Sequence, residues 1–146
     1  MDLMIVDDAA DWHRACEKIA YGFAVAIDHG DFATVLDLFA ENGSINVFGT
    51  VRKGPKDLRK WLYEDRPEQV IRHVCSNFSA QRLSQTEVLG RTYFTAYRCL
   101  GAGDLPVRDT TPFMIGEWVD RFCLTDAGWR LAHREVQPVF QAAGNG

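Results

Sequence analysis

His73, Cys75 and Asn77 alternate through the segment Arg72-His73-Val74-Cys75-Ser76-Asn77-Phe78. In an extended chain a period of two puts these three polar side chains on one face and Arg72, Val74, Ser76 and Phe78 on the other. An imidazole titrates near neutrality. When a carboxylate holds one ring nitrogen, the tautomer is fixed and the other nitrogen becomes more basic, which equips it to take a proton from carbon. Asp28 is the carboxylate to consider. It follows Ala24 by one helical turn and Tyr21 by two, on the shoulder of an apolar stripe, so its side chain can look inward. In a helix's last turn its charge opposes the macrodipole and needs a compensating partner. The plainer alternatives are an exposed Asp opening an Asp-His-Gly-Asp turn, and a His73 that merely satisfies a buried carboxylate. On the residues alone both stay open.

Other chemistries lack their signatures. No HExxH pair, close cysteine pair, GxGxxG turn or GxSxG elbow occurs, so neither a metal nor a cofactor is expected. Cys16, Cys75, Cys99 and Cys123 are scattered singly and read as reduced thiols, with Cys75 of interest for its place beside His73. A net charge of −4 argues against a nucleic-acid partner, which needs a basic surface. No stretch is apolar enough for a membrane span, and the opening MDLMIVDDAADW carries acids where a secretory signal carries bases, so a cytoplasmic location is expected.

The 146 residues suit one domain, read as an ordered core over 7–137 with a tail over 138–146. Trp12, Ala15, Cys16, Ile19, Ala20, Phe23 and Ile27 recur at helical spacing between Asp8 and His29, predicting a long amphipathic helix that stops at Gly30. Next to Gly30, His29 supplies a cation for the helix's carboxyl end. Asp31 caps a short helix through Phe39, and the ENG at 41–43 marks a turn. Ser44 to Val51 reads as a strand or hairpin. Gly54-Pro55 opens a third helix, buried through Leu58, Trp61 and Leu62 and ended by Pro67. Extended stretches follow at about 70–84, 87–100, 112–125 and 129–137, with a rim loop over 100–112. Helices first and long strands last give an α+β layer arrangement.

The runs AIDHGDF, LFAENG, RHVCSN and GWRLAHREV, in this order and spacing, resemble the SnoaL-like branch of the nuclear transport factor 2-like superfamily along nearly the whole chain. That resemblance implies a cone-shaped barrel in which a curved antiparallel sheet wraps around the amino-terminal helices and encloses a pocket. Fold alone does not settle function in this branch, which includes scytalone dehydratase, lindane dehydrochlorinase, polyketide cyclases and non-catalytic dioxygenase β subunits. In its dehydratases and dehydrochlorinases an Asp at the first helix's end orients a histidine base on the first long strand; the matching residues are Asp28 and His73. A second dehydratase histidine would fall near Arg98 and the dehydrochlorinase lysine at Phe23, and neither is retained.

The resemblance thus implies a cofactor-independent lyase or isomerase acting on a small aromatic or alicyclic substrate. The alternatives are a binding module or dioxygenase β-like subunit, and a cyclase or aldol-type enzyme. Tyr21 and Trp118 are expected as pocket wall, Asn77 as an amide donor, and Arg98 as a guanidinium for a carboxylate or developing enolate. Trp61, Phe113 and Met114 read as core, Asp120 and Arg121 as surface charge, and His13 and His133 as lacking carboxylate partners. A homodimer is expected through the open sheet face.

Overall fold

The computed structural model describes residues 4–101, 103–108 and 111–143. Residues 102, 109 and 110 of the expected rim loop and 144–146 of the expected tail lie outside these. Helix α1 spans Met4–Asp28. It buries Cys16, Ile19, Ala20, Phe23, Ala24 and Ile27 along the stripe that the 3.6-residue period dictates. Gly30, at φ 71°, ends it in a left-handed turn. The ring Nδ1 of His29 lies 2.9 Å from the carbonyl of Val25 in the helix's last turn, which also accepts from the His29 backbone amide. Asp31 then caps helix α2, Phe32–Asp37, accepting from the Thr34 amide and hydroxyl.

Strand β1 follows at once, Phe39–Val47, and β2 is Thr50–Lys53. The ENG at 41–43 is therefore a bulge inside β1 and not a turn. Its register against the last strand shifts between Phe39 and Ser44, and a Cβ on Gly43 would meet the Leu131 carbonyl at 2.8 Å. Helix α3, Gly54–Lys60, runs into a π-helical turn, Trp61–Asp65, with Leu58, Trp61 and Leu62 buried. The four long strands are β3, Gln69–Arg82; β4, Glu87–Leu100; β5, Pro112–Thr125; and β6, Gly128–Gln141. β6 continues four residues past the expected core end at 137 because Pro138, Phe140 and Gln141 pair with β5.

The sheet order is β2-β1-β6-β5-β4-β3. The expected curved sheet is present and mostly antiparallel, and two details refine it. β1 runs parallel to β6, and β2 and β3 remain edges, so the sheet curves without closing. One face packs α1, above all against β3, and beneath it lies the apolar core.

Close packing on that face depends on Gly116, which pairs with Phe94 across β4 and β5. The Phe94 ring fills the space above it and stacks on Trp118, centroids 5.1 Å apart. A Cβ at 116 would lie 2.6 Å from the Gln137 carbonyl oxygen and 2.9 Å from Phe94 Cζ. Gly116→Ala is expected to cost about 1–3 kcal/mol through overpacking, read as a lowered thermal midpoint. An unchanged midpoint would show that both the Gln137 backbone and the Phe94 ring give way freely.

Candidate active site

α1 and β3 bring the two ends of a dyad together. Asp28, the last residue of α1, accepts two hydrogen bonds from His73, one from its backbone amide at 2.8 Å and one at Nδ1, 2.6 Å away. Its side chain is only 5% exposed and that of His73 12%. The carboxylate is thus fixed by a backbone donor while it orients the ring, and a buried charge at a helix carboxyl end has its partner. The Arg72 guanidinium also reaches the Asp28 carbonyl at 3.4 Å. Among the described residues the other ring nitrogen of His73, Nε2, has no hydrogen-bond partner.

His73 forms part of the wall of a cavity of about 350 Å³ between α1, the π-helical turn and the sheet's inner face. Cross-strand register builds that wall: His73 sits opposite Ala96, and Ala96 opposite Met114. The imidazole lies 5.9 Å from the Phe94 ring and 5.4 Å from Trp118. Phe23, Ile27, Trp61 and Phe113 extend the apolar lining. Trp61, Phe113 and Met114, read from the sequence as core, are both core and wall. The positions where the resemblance expected a lysine and a second histidine, Phe23 and Arg98, both face this space.

The expected ligand-binding residues divide two and two. Trp118 and Arg98 line the cavity, with the Arg98 guanidinium 3.9 Å from the Phe113 ring centroid. Tyr21 and Asn77 do not. Tyr21, seven residues and about 10 Å of helix before Asp28, packs edge-on against Phe78 at 6.3 Å, at the far end of the helix–sheet interface. Asn77 has φ 55° in a bulge where the β3–β4 register shifts between Ser76 and Ser79. That extra residue reverses the alternation. Asn77 turns to solvent, and Phe78 joins His73 and Cys75 on the inner side. Burial pushes the Cys75 thiol pKa up to about 11 against a weaker opposing influence from Arg134, so it stays protonated at neutral pH and is a poor nucleophile.

Asp120, expected at the surface, is fully buried and so is Arg134. Arg134 donates through Nε and Nη2 to the two Asp120 oxygens at 2.8 and 2.7 Å. Its guanidinium packs into the corner formed by the edge-to-face rings of Phe23 and Trp118, 4.4 and 4.0 Å from their centroids, so it supports the cavity wall from behind. His133 also has a carboxylate partner, Glu135 Oε1 at 2.8 Å from Nε2, while the Ser44 hydroxyl meets its Nδ1. His13 packs edge-on against Phe78, centroids 5.2 Å apart. The sequence reading passed over three residues that line the cavity mouth: Arg52 on β2, Arg66 just after the π-helical turn and Gln69 at the start of β3.

A model of the SnoaL-like domain matches residues 8–135. The chain belongs to the SnoaL-like family. Comparison with curated proteins gives no match. Solved structures of this fold superpose along most of its length. A provisionally named scytalone dehydratase from Novosphingobium aromaticivorans is 19% identical at a TM-score of 0.79, covering 94% of this chain and 90% of that one. A hexachlorocyclohexane dehydrochlorinase, LinA-type3 of Novosphingobium barchaimii, is 13% identical at 0.77, covering 94% of each. A Mycobacterium tuberculosis protein of unknown function is 20% identical at 0.76, covering 91% of this chain and 75% of the other. At these identities they establish for this SnoaL-like chain the nuclear transport factor 2-like, cystatin-like fold. No helix among its described residues is long and apolar enough to cross a membrane.

Proposed function

We propose that this SnoaL-like protein is a lyase or isomerase that needs no cofactor and uses His73 as a general base on a small, largely apolar ring substrate. One observation carries the proposal: a histidine held at Nδ1 by a buried aspartate keeps its second nitrogen unengaged at the wall of an apolar cavity. The carboxylate holds the proton on Nδ1, leaving the Nε2 lone pair as the basic site. Nε2 takes a proton from a substrate carbon. The C–H electron pair then forms a carbon–carbon double bond as a leaving group departs with its own bonding pair, as an anion or, with the proton returned by the imidazolium, as water. Where no leaving group is present, return of that proton to another carbon gives isomerisation.

The surroundings suit such a step. Phe94 and Trp118 flank the imidazole and keep bulk water from it, so the Asp28 charge acts on the developing imidazolium in a low-dielectric setting. The cavity is at the small end of ligand sites, the right size for one or two rings. The dehydratase and dehydrochlorinase names carried by two structural neighbours support elimination over other proton-transfer chemistry.

A panel of cyclic β-hydroxy ketones and β-halogenated alicyclic compounds tests this through appearance of the alkene by absorbance. Turnover of at least one is expected, with loss of about 10²–10⁴-fold in His73→Ala. A His73→Ala protein that turns over at the parent rate would sink the proposal. Tight ligand binding without any turnover would instead favour a binding module.

A further inference from the structure

The cavity mouth carries charge that the proton-abstraction proposal does not use. Arg52, Arg66 and Arg98 line it together with a single carboxylate, Asp65. Asp65 is engaged by the Lys60 ammonium at 2.7 Å and approached by Arg52 at 3.8 Å. Asp28, whose charge Arg66 feels, is committed to His73. Among the described residues the guanidiniums of Arg66 and Arg98 donate no hydrogen bond and form no ion pair, although the Arg66 backbone amide donates to the Trp61 carbonyl; their side-chain contacts of note are aromatic faces. Arg98 lies over Phe113, and Arg66 lies 5.8 and 5.9 Å from Phe32 and Trp61. Burial lowers the Arg66 pKa, Asp28 opposes that and the Arg98 charge adds to it, so the two guanidiniums feel one another.

A second observation comes from a neutral group. Gln69, first residue of β3, lines the same cavity, and its Oε1 is buried without a hydrogen-bond partner. Such an atom is costly unless something donates to it. Two partly buried guanidiniums without an ion-pair partner and one buried acceptor without a donor thus line one largely apolar space.

We propose that the ligand of this cavity is a ring carboxylic acid, its carboxylate received by Arg66 and Arg98 and a hydroxyl or N–H on the same molecule donating to Gln69 Oε1. The Arg98 guanidinium, stacked 3.9 Å over Phe113, is held flat and keeps its N–H edges free, the arrangement that recognises a planar carboxylate, and Arg66 supplies a second charge beside it. The carboxylate anchors one end at the mouth and the ring extends along the apolar wall toward His73. This substrate class rests on the reading of the cavity as a small-molecule site. It does not require that His73 be a base.

Isothermal titration calorimetry with benzoate, its neutral isostere benzamide and the three hydroxybenzoates tests it without knowledge of the true substrate. In the wild-type protein benzoate is expected to bind at least tenfold more tightly than benzamide. Arg98→Met, which keeps an apolar stem over Phe113, removes that preference and leaves benzamide binding unchanged. At least one hydroxybenzoate exceeds benzoate, and Gln69→Met abolishes the gain. His73→Ala retains the acid preference, separating the mouth from the imidazolium as its source. Equal binding of benzoate and benzamide to the wild type overturns the proposal, as does a preference lost in His73→Ala but kept in Arg98→Met. Neither outcome bears on alkene formation by His73, which the turnover panel reads separately.

Discussion

Replacing Asp28 by Asn is expected to lower turnover by about 10³–10⁴-fold while leaving the fold intact. Asp28 accepts from two donors at once, the His73 amide and Nδ1 of its ring, and a carboxamide has one acceptor and one donor end. If the Asn oxygen takes the backbone N–H, its NH₂ faces Nδ1, which must then accept. The ring proton moves to Nε2, and the base presents an N–H to the cavity where it needs a lone pair. If the amide is reversed, its NH₂ opposes the backbone N–H and a buried donor loses its partner. The first arrangement costs less and is the one that disables catalysis; an amide in the aspartate position of a serine-protease triad causes a loss of this size through the wrong tautomer. The check is the alkene-forming rate together with ¹⁵N shifts of His73, which report which nitrogen carries the proton. Turnover within tenfold of the parent, with the tautomer unchanged, would mean that Asp28 is merely a helix-end carboxylate finding a partner.

Much of this arrangement was legible in the chain, and what was not has identifiable causes. The stripe from Trp12 to Ile27 dictated α1 because an amphipathic period sustained over about four turns has few alternative explanations. β4 and β5 fall where their alternation put them, at 87–100 and 112–125. The pairing of Asp28 with His73 was visible only through resemblance. A carboxylate at a helix carboxyl end is locally unfavourable, and its partner lies 45 residues away.

Parity was the stronger signal elsewhere. Trp118, Asp120 and Phe122 alternate on β5, so a buried Trp118 placed Asp120 inward with it, and the strand's burial pattern follows that rule. Treating Asp120 as surface charge set residue type above strand period. At Asn77 the period itself failed. One inserted residue reversed the face, and nothing in Ser76-Asn77-Phe78 beyond an asparagine's tolerance of positive φ announces it. The parallel β1–β6 pairing escaped for a different reason, since contacts such as Ser44 with His133 span 89 residues and no local pattern encodes them. The mouth residues Arg66 and Gln69 flank Pro67 at the end of α3's extension, where no periodicity selects a face.

Truncation of Asp120 carries the largest expected stability loss, about 3–5 kcal/mol. Both members of the pair are fully buried, and Arg134 already has one amino nitrogen, Nη1, without a partner. In Asp120→Ala the guanidinium keeps its charge but loses both hydrogen-bonded oxygens while still packed against Phe23 and Trp118. Contact with two rings recovers only a fraction, roughly 1–2 kcal/mol per ring at best. Against the 5–15 kcal/mol that holds a domain of this kind together, the loss is a large share, and urea midpoints measure it directly. A pair whose desolvation nearly cancels its attraction should be far cheaper to remove whole than to break. Asp120→Leu with Arg134→Met is accordingly expected to recover most of the stability that Asp120→Ala gives up. If the double variant is as unstable as the single one, the guanidinium's packing against Trp118 and Phe23 is what sustains the cavity wall, and the carboxylate serves chiefly to hold the guanidinium in place.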